Sequence, residues 1–61
     1  MAYTAEQKRK AIQRELAYRI HVYPRRIEAG KMTQQLANEQ IAIFEAILED
    51  YRKAEEGERL I

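Results

Sequence analysis

The stretch Tyr23-Pro24-Arg25-Arg26-Ile27-Glu28-Ala29-Gly30-Lys31-Met32-Thr33 limits what this chain can fold into more than any other. It holds the only proline and one of two glycines, with long runs of helix-forming residues on either side. Proline lacks an amide hydrogen and pushes the residue before it away from helical angles. Glycine accepts the left-handed conformation that ends helices. Helix, interruption, helix is the pattern of a helical hairpin. No strand-like alternation, internal repeat or low-complexity tract competes with it, so the expected class is all-α, a single helical-hairpin domain over residues 1–61.

The first helix is expected over about residues 5–29. Thr4 is a good N-cap, and Gln7 three residues later completes a capping-box spacing. Glu6 and Lys10, then Glu15 and Arg19, stand four apart in the favourable order. The apolar residues Ile12, Leu16, Ile20, Tyr23 and Ile27 fall within an arc of roughly 80° at about 100° per residue. That stripe keeps its phase past Pro24, which predicts a kinked continuation or restart there, with Gly30 as the true stop. Thr33 caps the second helix, expected over about residues 34–56, and Met32 covers its first turn. Gly57 is the expected C-terminal stop. At 1.5 Å per residue the second helix runs about 34 Å, closer to the ~37 Å of residues 5–29 than to the ~28 Å of residues 5–23.

The second helix is apolar over a wide arc, roughly 160°, through Leu36, Ala37, Ile41, Ile43, Phe44, Ile47, Leu48, Tyr51 and Ala54. Its opposite face carries Asn38, Glu45, Glu49 and Lys53, the last two an i,i+4 pair. The first helix has a second small stripe, Ala11, Tyr18 and Val22. One antiparallel partner cannot cover both, and a 61-residue chain without cysteine builds only a marginal core. A homodimer forming an antiparallel four-helix bundle is therefore expected. Tyr18, Val22, Tyr23, Phe44 and Tyr51 are the expected protein-contact residues. Gln40, inside the wide apolar arc, is placed to fix register or oligomer state, as a core Asn does in coiled coils.

Net charge is +1, but unevenly placed: residues 1–31 hold eight Lys/Arg against three acids, and residues 32–61 hold three against seven. Opposed helices would explain the asymmetry. The alternative is a nucleic-acid-binding accessory protein: Lys10, Arg14, His21 and Arg25 share one side of the first helix, with Tyr18 at its edge. Phosphate contact beside a stacking aromatic needs that combination.

Catalytic and metal chemistry find no support. There is no serine or cysteine, His21 is the only histidine, and no Gly-rich phosphate loop occurs. Thr4 and Thr33 are explained as caps, and Glu45 and Glu49 lack the Glu-x-x-His companion of di-metal bundles. No catalytic, cofactor or metal residue is expected. No run approaches the ~18 apolar residues of a membrane span, and no signal-peptide core follows Met1, so the expected location is the cytoplasm.

Two resemblances appear at the turn. Gly30-Lys31-Met32-Thr33-Gln34-Gln35-Leu36-Ala37 resembles the start of the second helix in repressor-type helix-turn-helix domains, but no turn or recognition helix follows Asn38. More of the chain, roughly residues 12–52, resembles short bacterial and prophage-encoded proteins with an Arg-Val-Tyr-Pro-Arg element, a Gly-Arg-Met-Thr turn and an Ile-x-x-Met-Glu-x-Ile-x-x-Asp-Tyr helix. Here His21, Lys31 and Phe44 replace the first Arg, the second Arg and the Met. The resemblance implies a phage or mobile-element setting and a small interaction or accessory module. It supplies no catalytic residue.

Overall fold

A computed structural model describes residues 2–59. Two helices account for nearly all of them: α1, Ala5–Glu28, and α2, Gln34–Arg59. They lie antiparallel in a rod of 48 × 19 × 16 Å.

Local chemistry sets the start of α1 and both ends of the turn. Thr4 Oγ1 accepts from the Gln7 amide at 3.1 Å while Gln7 Oε1 accepts from the Thr4 amide at 2.9 Å, the reciprocal capping box. α1 closes in a Schellman motif: the Gly30 amide donates to the Ile27 carbonyl at 3.0 Å and the Lys31 amide to the Arg26 carbonyl at 2.9 Å. Gly30 has φ +74°, which a side chain would strain. Thr33 Oγ1 accepts from the Leu36 amide at 3.1 Å and starts α2.

Pro24 does not end α1; the helix runs through Tyr23, Pro24 and on to Glu28. Ile20, whose carbonyl loses its amide partner, is exposed like Pro24, so solvent is at hand for it. The long-first-helix expectation holds. The second boundary does not: Gly57 lies inside α2, which continues to Arg59. With Ala54, Glu55, Glu56, Glu58 and Arg59 around it, one glycine costs about 1 kcal/mol, too little to stop a helix packed on a neighbour. Glu58 and Arg59, past the expected stop, are helical; Leu60 and Ile61 lie outside the described residues.

The two helices meet along matching 4-3 repeats. Ala5, Arg9, Ile12, Leu16, Arg19 and Tyr23 of α1 face Ala37, Ile41, Phe44, Leu48, Tyr51 and Glu55 of α2, and each of the twelve is buried or half-buried. Arg9 meets Glu55, Arg19 meets Phe44, and the Ala5 amide meets Glu58, so facing residue numbers sum to 63 or 64. This corrects the expected α1 stripe. Ile20 is 50% exposed, and Arg19 takes its place in the seam. A stripe read by apolar identity alone drifts around the helix; a long antiparallel contact demands the 3.5-residue period. On α2, Leu36 and Ile43 are likewise exposed, at 45% and 44%.

The result is a thin core. The described chain exposes 5027 Å², whereas a compact protein of 7.3 kDa exposes about 4,200 Å². The radius of gyration, 14.3 Å, likewise exceeds the ~10.5 Å of a compact chain of this length.

Candidate functional site

Polar side chains occupy three of the twelve seam positions. At the open end of the hairpin, Glu55 is buried with its carboxylate held by Arg9 across the seam and by Arg59 Nη2 at 3.0 Å. The hydrogen bond from Arg9, then the charges of Arg9 and Arg59, hold the Glu55 carboxyl below its ordinary range against the opposing effect of burial. Glu58 Oε1 accepts from the Ala5 amide at 2.8 Å, placing an anion on the first free N–H of α1. These contacts clasp the two helices at the open end of the hairpin.

Arg19 is the third. Its guanidinium carbon lies 4.4 Å from the centre of the Phe44 ring, Nη1 donates to Tyr23 Oη at 3.0 Å, and Nη2 meets Glu15 at 3.0 Å. The Tyr23 hydrogen bond, helped by Glu15, holds the guanidinium more firmly protonated than usual. Reading apolar identity alone misses Arg9, Arg19 and Glu55. The unbroken 4-3 spacing through them was the available signal.

The expected contact residues divide. Tyr23 is 3% exposed and belongs to the hairpin's own core. Phe44 and Tyr51, half-buried, also face α1. Tyr18, 59% exposed, and Val22, half-buried, lie outside the seam.

Lys10, Arg14, His21 and Arg25 are all exposed on the side of α1 turned from α2, with Tyr3 and Tyr18 alongside. Lys10 pairs with Glu6 at 3.2 Å; among the described residues Arg14 and Arg25 have no ion-pair partner. The charge asymmetry is therefore mostly not neutralised within the hairpin. Arg9–Glu55 is the one ion pair crossing it among the described residues. Glu49 meets Arg52 at 3.9 Å rather than the expected Lys53.

One side of the hairpin is lined by Gln13, Ala17, Ile20 and Pro24 of α1 with Gln34, Glu45, Glu49 and Arg52 of α2. The opposite side carries a second pair of 4-3 repeats: Ala11, Glu15, Tyr18 and Val22 on α1; Leu36, Gln40, Ile43, Ile47, Asp50 and Ala54 on α2. At about 100° per residue each repeat is centred roughly 90° from the hairpin seam, the angle at which a four-helix bundle presents its second contact. Gln40 and Ile47, half-buried, mark the border between the two seams. Of these ten positions only Glu15 and Asp50 are charged, and on α1 the same spacing runs on into Lys8 and Arg25.

Among the described residues no three His, Asp or Glu side chains converge as a metal site would require, and no helix is long and apolar enough to cross a membrane. α2 continues without a turn, so the helix-turn-helix resemblance stops at Ala37. No family model, curated protein or solved structure matches the chain.

Proposed function

We propose that this chain is a small non-enzymatic accessory module that acts through helix–helix contacts. Its working surface is the side bearing Val22, Ile43 and Ile47, covered by a second copy to give an antiparallel four-helix bundle. The carrying observation is a second 4-3 repeat, mostly apolar, with Leu36, Ile43 and Tyr18 open to solvent, on a hairpin whose own seam is already filled. The surface excess of roughly 800 Å² over a compact chain is about what one partner buries in a standard interface. In this assembly α1 is kinked at Pro24, and the setting is the cytoplasm of a phage- or prophage-bearing bacterium, as the turn and helix motifs suggest.

Sedimentation equilibrium tests the proposal. The wild-type chain is expected at twice its 7.3 kDa mass at micromolar concentration, and Ile43→Glu at the monomer mass with its helicity retained. A wild-type monomer throughout that range removes the bundle.

A second reading is favoured by Arg14 and Arg25, which have no ion-pair partner among the described residues and share α1 with the exposed rings of Tyr3 and Tyr18: nucleic-acid contact along Lys10, Arg14, His21 and Arg25. It predicts a gel shift that weakens steeply with salt and disappears in Arg14→Ala/Arg25→Ala. No shift at low ionic strength refutes it.

A further inference from the structure

The dimer proposed above leaves open how the two hairpins are related, and the charges determine it. Two identical faces meet about a two-fold axis lying in the plane of contact. An axis across the helices sets α1 against the partner's α1 and α2 against the partner's α2. An axis along the helices sets each α1 against the partner's α2, antiparallel. α1 carries seven basic and three acidic residues, net +4, and α2 three and seven, net −4. The first arrangement therefore juxtaposes like charges along both contacts, and the second opposes them.

An axis along the helices also preserves height, so the intramolecular pairing rule, facing numbers summing to 63 or 64, carries over to the contact between copies. Under that rule Tyr18 falls between the partner's Ile43 and the partner's Ile47. Val22 falls between the partner's Gln40 and the partner's Ile43, knobs entering holes. On the outer edge of the same contact, Arg14 falls opposite the partner's Asp50, and Arg25 opposite the partner's Glu39, each pair summing to 64 as Arg9 and Glu55 do. All four are exposed, and within one chain none has an ion-pair partner among the described residues. Glu15, the acid of α1 on this face, is already held by Arg19.

We propose that the two copies are related by a two-fold axis parallel to the helices, with Arg14 and Arg25 of each chain paired to the partner's Asp50 and the partner's Glu39. These pairs select the arrangement and exclude the alternative one, while the apolar repeat supplies the driving force. The assignment rests on the dimer proposed above, and the following experiment separates the two.

Four chains are compared by sedimentation equilibrium at low salt, with helicity followed by circular dichroism: the wild type, Arg14→Glu/Arg25→Glu, Glu39→Arg/Asp50→Arg, and the quadruple variant. Each double variant is expected to dimerise roughly tenfold or more weakly, because four ion pairs per dimer become repulsions. The quadruple variant is expected to recover wild-type affinity to within about threefold. The two double variants, mixed, are expected to form a heterodimer. The quadruple variant and the wild type are each expected to prefer themselves over a mixed dimer by the same roughly tenfold or more. If a reversal disturbs helicity, Arg14→Gln/Arg25→Gln replaces it, with roughly threefold weakening expected. A wild-type monomer overturns the dimer and this arrangement with it. A wild-type dimer whose double variants bind as tightly, or whose quadruple variant stays weak or pairs with the wild type as tightly as with itself, overturns the arrangement alone.

Discussion

The two glycines of this chain are expected to respond to the same substitution with opposite sign. Gly30 has φ +74° and Gly57 sits inside α2, and an added Cβ meets no atom within 4 Å at either position. Packing is thus removed from the comparison, and only backbone conformation remains. Alanine at position 30 forces a left-handed residue with a side chain, costing about 1–2 kcal/mol. Alanine at position 57 recovers up to about 1 kcal/mol of helix propensity, reduced toward half by the nearby helix end. Unfolding entropy near 2.1 cal/mol/K per residue over 61 residues makes 1 kcal/mol worth about 8 °C. Gly30→Ala should therefore lower Tm by about 8–16 °C, and Gly57→Ala should raise it by about 4–8 °C. The assay is thermal unfolding by circular dichroism at one fixed protomer concentration, since association would shift both melts. A Gly57→Ala variant less stable than wild type would refute the continuous second helix, and an unchanged Gly30→Ala would refute the Schellman turn.

The seam register is tested by two aliphatic truncations. Leu16→Ala removes a buried side chain and should cost about 2–5 kcal/mol, a large part of the total of about 3–9 kcal/mol for a chain this size, so a Tm lowered by at least about 16 °C is expected by circular dichroism. Ile20→Ala, four residues on but half exposed, should cost less than about 1.5 kcal/mol in the same assay. The Glu55 clasp makes stability depend on pH. Its folded pKa lies below the unfolded value, so its contribution is present above the ordinary carboxylate range and is lost as pH falls through the lower folded value. Melts of wild type and Glu55→Gln should differ most near pH 7 and converge in strong acid; a gap that widens in acid would refute the clasp.

The hairpin itself was legible because its signals are local. Thr4 with Gln7, Gly30, and Thr33 act on backbone groups within a few residues, and their geometry is as their spacing predicts. The seam was half legible. Leu16, Tyr23, Ala37 and Leu48 are apolar and buried, but Arg9, Arg19 and Glu55 look like surface residues until a partner across the seam is known. Arg19 belongs inside only because Phe44 and Tyr23 receive it there, and Glu55 only because Arg9 and Arg59 surround it.

By itself, then, the sequence determined that this chain is two helices joined at Gly30, because caps, propensities and a positive φ depend on nearest neighbours alone. Which face of each helix turns inward was decided by the tertiary structure. A 3.5-residue period maintained over the antiparallel contact admits Arg19 and expels Ile20, a choice that belongs to the pair of helices and to neither one separately.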